Sequence, residues 1–117
     1  MHSLRKRAEF GVVTRTGRKF VGSGFILYAH ERPDSGGVPI LSCRFGFTVS
    51  KKNGKAVARN RARRRLKEMV RSQLSQCVYE NYDYVLIARP EKTASIPFQK
   101  LCGDFCRALR YVHKSKS

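Results

Sequence analysis

Tryptophan is absent from this 117-residue chain and acidic side chains are scarce, with 8 Asp and Glu against 25 Lys and Arg. Each shortage excludes something. No apolar run approaches the roughly 18 residues that a membrane span needs. No helical stretch sets a Lys face beside Trp or Phe anchors, as membrane-surface helices do. The basic opening MHSLRKRAEF is not followed by an apolar core, which argues against secretion. The four cysteines lack the two close ligand pairs of a zinc site. Cys102 and Cys106 are four apart with His113 seven further on, while Cys43 and Cys77 stand alone. No metal site is expected. His2, His30 and His113 have no Ser, Cys or carboxylate at a catalytic spacing and are expected on the surface. Reduced cysteines without an export signal point to the cytoplasm.

What is present is positive charge. The formal net charge is +17, enough for self-repulsion to oppose the compact state and for a polyanion to relieve it. Length predicts one domain over 1–117 with a modest core, and HKSKS (113–117) reads as a frayed basic tail. The charge is concentrated. From Lys51 to Arg71 there are ten Lys or Arg and one acid, Glu68. A solvated helix surface normally mixes signs and sets Glu four residues from Lys. So one-sided a segment fits a polyphosphate, which points to nucleic acid. Nothing suggests a helix-turn-helix pair or dimer symmetry, so DNA is not expected.

Periodicity predicts a helix over about 7–15 ending at Gly17, with Phe10 and Val13 on one face. Residues 19–31 read as one strand, and RPDSGGVP (32–39) as a loop. From Leu41 to Val49 the alternation is clean. Leu41, Cys43, Phe45, Phe47 and Val49 face the core, and Ser42, Arg44, Gly46 and Thr48 face away. YDYVLIAR (82–89) reads as a strand covered on both faces and ended by Pro90. A last helix runs over about 96–113, with Pro97 in its first turn. It puts Phe98, Leu101, Cys102, Phe105, Cys106, Leu109 and Val112 on one arc, so both cysteines are expected in the core. The order implies an α+β fold, a two-layer α-β sandwich of order α-β-β-(β)-α-β-α, with its helices on one side of the sheet.

The basic helix is expected from Lys55 or Ala56 to about Val78. Ala58, Ala62, Leu66, Met69, Val70, Leu74 and Cys77 form its apolar arc, opposite Asn60, Arg61, Arg64 and Lys67. Arg59 and Arg63 fall on the apolar side, where unpaired cations would be costly. The first turns should therefore overhang the sheet edge and aim cations at a ligand, helped by the helix N-terminus.

FGFTVSKKNGKAVARNRARRRLKE (45–68) resembles the signature of the bacterial ribonuclease P protein subunit, centred on Arg59-Asn60-Arg61. LRKRAEF with Gly17 seven residues later, FILY and YDYVLIAR match the same family in order and spacing, so the resemblance covers nearly the whole chain. It implies that the basic helix joins two parallel strands by a left-handed crossover, against a right-handed norm of about 98%. It implies a catalytic RNA subunit whose Mg²⁺ ions drive removal of the 5′ leader from precursor tRNA, and no catalytic residue in this chain. The implied RNA-binding residues are Ser50, Lys51, Lys52, Lys55, Arg59, Asn60, Arg61, Arg63, Arg64, Arg65 and Lys67. The implied leader cleft holds Phe10, Val13, Thr14, Tyr28 and Phe47. Phe10 is either a stacking platform or core packing, and Thr14 stands where some relatives carry a second aromatic. The competing reading is a non-enzymatic RNA-binding protein such as a small ribosomal protein.

Overall fold

The computed structural model describes residues 2–3, 7–31, 43–77 and 82–113. Among these residues, five strands and four helices follow in the order β1 (His2–Ser3), α1 (Arg7–Thr16), β2 (Arg18–Val21), β3 (Phe25–Glu31), β4 (Arg44–Thr48), α2 (Ala56–Cys77), β5 (Tyr82–Ala88), α3 (Lys92–Ser95) and α4 (Phe98–Val112). They build one sheet of strand order β1-β4-β5-β3-β2. β4 runs parallel to β1 and to β5, while β3 is antiparallel to both β5 and β2. The basic helix thus joins two parallel neighbours, and the α+β sandwich holds. The expected loop 32–39, the strand start at Leu41 and the basic tail from 114 lie outside the described residues.

Alternation sorts the sheet into two faces. Phe25, Leu27 and Ala29 of β3, Phe45 of β4, and Tyr82, Tyr84, Leu86 and Ala88 of β5 share the main core. There they meet Ala62, Leu66, Met69 and Val70 of α2 and Leu101, Phe105, Ala108, Leu109 and Val112 of α4. Phe45 stacks on Tyr84 with ring centroids 4.8 Å apart.

The other face is not bare. Val13 of α1, 1% exposed, packs on Val85, with Phe10, Tyr28 and Ile87 around them. The expectation that all helices lie on one side therefore fails for α1. YDYVLIAR carries apolar residues on both faces because α1 covers the second one. α1 ends where Gly17 lies so close to β3 that a Cβ would stand 2.7 Å from the Ala29 carbonyl oxygen. Any larger residue there would push the helix off the sheet.

Residues 19–31 form two strands rather than one. The chain reverses at Gly22-Ser23-Gly24, where the Gly22 N–H donates to the Phe25 carbonyl at 2.8 Å. Buried Asp104 on α4 fixes this turn by accepting the Ser23 hydroxyl at 2.9 Å, and it also binds Arg107. α3 is a short helix that periodicity missed. Thr93 holds it, accepting the Arg89 N–H at 2.8 Å and donating to the Gly24 carbonyl at 2.6 Å. Pro97 precedes α4 as its N-cap instead of sitting inside it.

Two further expectations are corrected. His113 is buried, not on the surface: its Nε2 lies 2.7 Å from the Tyr84 hydroxyl, and its ring meets Tyr82 edge-on. Cys102 and Cys106 sit at the margin of the core, half-buried, against polar residues of α2. Cys102 lies 3.4 Å from the Ser72 hydroxyl, and the Cys106 thiol donates to Gln73 at 2.9 Å.

Candidate nucleic-acid interface

The cationic segment leaves the sheet at the C-terminal end of β4. Ser50 opens a single 3-10 turn over Lys51–Asn53, which Asn53 closes with a 3.2 Å bond to the Ser50 carbonyl. Gly54 follows at φ +108, a left-handed value that lets the chain swing into α2. Ser50, Lys51, Lys52 and Lys55 are all exposed.

The first two turns of α2 overhang the core as expected. Ala62 is the first buried residue of the helix, and Ala58, assigned to the apolar arc, is exposed. Asn60, Arg61, Arg64 and Lys67 point outward, while Arg59 and Arg63 are half-buried. Arg63 donates to the Asn60 side-chain oxygen at 3.3 Å. Asn60, Arg63, Arg64, Lys67 and Arg71 line a shallow depression of about 260 Å³ with Glu68. Its cations are spaced along the helix at a pitch that can follow a phosphate backbone.

Arg65 departs from the set. Its guanidinium donates to the backbone carbonyls of Ala94 and Ile96, tying α2 to α3 and the start of α4. It braces the scaffold rather than facing outward.

On the opposite face, Phe10, Val13 and Tyr28 pack together with Val85 and Ile87. Val13 is fully buried and fixes the helix. Phe10 and Tyr28 are half-buried. The Thr14 hydroxyl is turned back to the Phe10 carbonyl at 3.1 Å. Phe47 does not join them. It is two residues from Phe45 on the same side of β4, packs against the main core, and carries the Lys67 ammonium 5.9 Å from its ring centre.

Residues 1–113 match the ribonuclease P family. The chain belongs to that family. It is 46% identical over 113 residues to the ribonuclease P protein component of Ruegeria pomeroyi, covering 97% of this chain and 87% of that one. It is 46% identical over 109 residues to the component from Gluconacetobacter diazotrophicus, covering 93% and 89%. Among solved structures, the RNase P protein of Thermotoga maritima superposes with a TM-score of 0.76 at 22% identity, covering 96% of this chain and 98% of that one. The Staphylococcus aureus RNase P protein gives 0.73 at 22%, covering 95% and 94%. These two likenesses speak for the fold alone. As a ribonuclease P protein component, the chain is a subunit of an endoribonuclease complex, which decides between the two RNA-binding readings.

Sequence reasoning missed one cation beside this aromatic cluster. Lys19 on β2 is the register partner of Tyr28 on β3 and holds its ammonium 5.8 Å from the Tyr28 ring centre. The signal was the Gly-Ser-Gly turn, which makes 18–31 a hairpin and so brings residues 19 and 28 side by side.

Proposed function

We propose that the chain binds the catalytic RNA of ribonuclease P through its cationic segment and the 5′ leader of precursor tRNA through the α1 groove. The exposed cations Lys51, Lys52, Lys55, Arg61, Arg64 and Lys67, with Arg59, Asn60 and Arg63 between them, contact RNA phosphates. Ser50 positions the turn. Arg65 contributes indirectly, through the brace to α3. Phe10 and Tyr28 offer ring faces on which leader bases stack, with Lys19 beside them for the phosphate, while Val13 and Thr14 hold the helix in place. Stacking tolerates any base, as a protein serving many leaders requires.

The charged groups exposed along α2 are guanidinium and ammonium with the single carboxylate of Glu68 among them; one carboxylate surrounded by cations does not make a donor set that suits Mg²⁺. Under this reading the Mg²⁺ ions belong to the RNA subunit, and the protein's contribution is to bind and orient. The carrying observation is the overhang: the first two turns of α2 extend past the core, with Arg61 exposed and Arg59 half-buried.

The test is reconstitution in the cytoplasm's own terms, low Mg²⁺ and moderate salt. Purified chain added to the catalytic RNA should restore precursor-tRNA cleavage, and chain alone should cleave nothing. Cleavage by RNA-free protein, abolished by a point substitution in it, would contradict the assignment of catalysis to RNA.

A further inference from the structure

A second depression, of about 560 Å³, opens between the overhanging start of α2 and α3. Its size falls within the roughly 300–1,000 Å³ of small-ligand sites. Val57, Ala58 and Ala94 give it apolar walls, and Lys55, Arg61 and Glu91 supply its charge. Two features of its lining stand out. Val57 is 83% exposed in the middle of the cationic segment. Glu91 stands at φ +67 at the centre of a tight turn that the Lys92 N–H closes on the Pro90 carbonyl at 2.7 Å, which sets its side chain beside the depression. Its carboxylate shares the depression with two cations yet makes no hydrogen bond or ion pair among the described residues. The walls are fixed in advance, because Arg65 clamps the α3 carbonyls to α2.

We propose that this depression holds one unstacked nucleobase, a guanine, of the RNA partner; this rests on the RNA-binding reading above. Charge decides for RNA over a peptide, since ten cations and one acid occupy the span from Lys51 to Arg71 that forms one wall. Single-stranded RNA is recognised by splaying a base between side chains and bonding its Watson–Crick edge. Val57, Ala58 and Ala94 receive the ring faces, and Lys55 and Arg61 meet the flanking phosphates. Glu91 selects the base. A carboxylate only accepts, and guanine alone offers two adjacent donors, N1–H and the N2 amine, on that edge. Adenine and cytosine set a ring-nitrogen acceptor beside their amine, and uracil flanks its one N–H with carbonyls. Each of these would face a carboxylate oxygen with a lone pair.

The test is an NMR titration of the isolated full chain with GMP, AMP, CMP and UMP in turn. GMP should saturably shift the amides of 57–62 and 91–95 and bind about tenfold more tightly than the other three. Glu91→Gln should erase that preference while leaving general nucleotide attraction. Ala58→Leu, at an exposed helical position, should fill the depression and abolish the shifts with the melting temperature unchanged. Equal affinity for all four nucleotides, or a GMP preference that survives in Glu91→Gln, overturns the proposal. Reconstituted cleavage by the wild type is read separately. Restored cleavage with equal nucleotide affinities sinks the guanine pocket alone, whereas failure to bind the catalytic RNA sinks the proposed function.

Discussion

Arg44 and Asp83 are register partners across the parallel strands β4 and β5, and their side chains meet in a two-pronged ion pair. Nε reaches Oδ1 at 2.9 Å and Nη2 reaches Oδ2 at 2.6 Å. Asp83 is 4% exposed. Such geometry fixes both planes and is stronger than a single contact. It also pins the register of the two strands on either side of the basic crossover.

Arg44→Met should therefore destabilise the fold by about 3 kcal/mol, since a buried carboxylate loses the cation of this two-pronged pair. Urea unfolding measures this. A loss below about 1 kcal/mol would place the pair with ordinary surface salt bridges.

Arg61 and Arg65 should separate cleanly although they are one helical turn apart. Arg65→Ala removes two charge-assisted bonds to the backbone and should lower stability by about 2 kcal/mol. Arg61→Ala should leave the melting temperature within a degree or two and weaken binding to the catalytic RNA. Thermal melts and filter binding on both variants check this. Equal melting losses would mean that Arg61 is structural too.

Phe10→Ala should cost roughly 1–3 kcal/mol of affinity for a leader-bearing precursor tRNA. Mature tRNA has no leader and should bind the reconstituted holoenzyme unchanged. If both RNAs lose affinity alike, Phe10 serves only to seat α1 on the sheet beside Val13.

With about six cations on phosphates, log K should fall with log[salt] at a slope of roughly −4 to −5. Going from 50 to 200 mM salt would then cost about three orders of magnitude in affinity. Phe10→Ala should leave this slope unchanged and Arg61→Ala should reduce it by about one, which a salt series of binding isotherms resolves.

Much of this was legible in the sequence because it rested on local pattern. The alternation of 43–49, the cationic run and the arc of Leu101, Phe105, Leu109 and Val112 each follow from the period of one element. The overhang was legible too, because buried unpaired arginines are too costly to occur. What escaped depends on contacts between distant segments. Two residues at His2–Ser3 form a strand only because β4 offers them an edge. Arg65 looks like its neighbours until α3 is placed beside it. His113 reads as a tail residue until Tyr84 supplies a hydroxyl. Phe47 belongs with Phe45 by alternation, and the family cleft does not override that.

β5 lies at the centre of the sheet and is the last strand to be made. β3 and β4 have no common neighbour without it, since the strand order places β5 between them. On a chain synthesised from its N-terminus, the whole cationic helix therefore emerges before the sheet it packs on can close. Folding must wait for the final third of the polypeptide, and the pairing it then makes is long-range and slow. During that interval the basic segment carries its cations without the sheet that holds them in order. A chain cut short before residue 82 would stay in that condition permanently, able to attract RNA by charge yet unable to present its arginines in order.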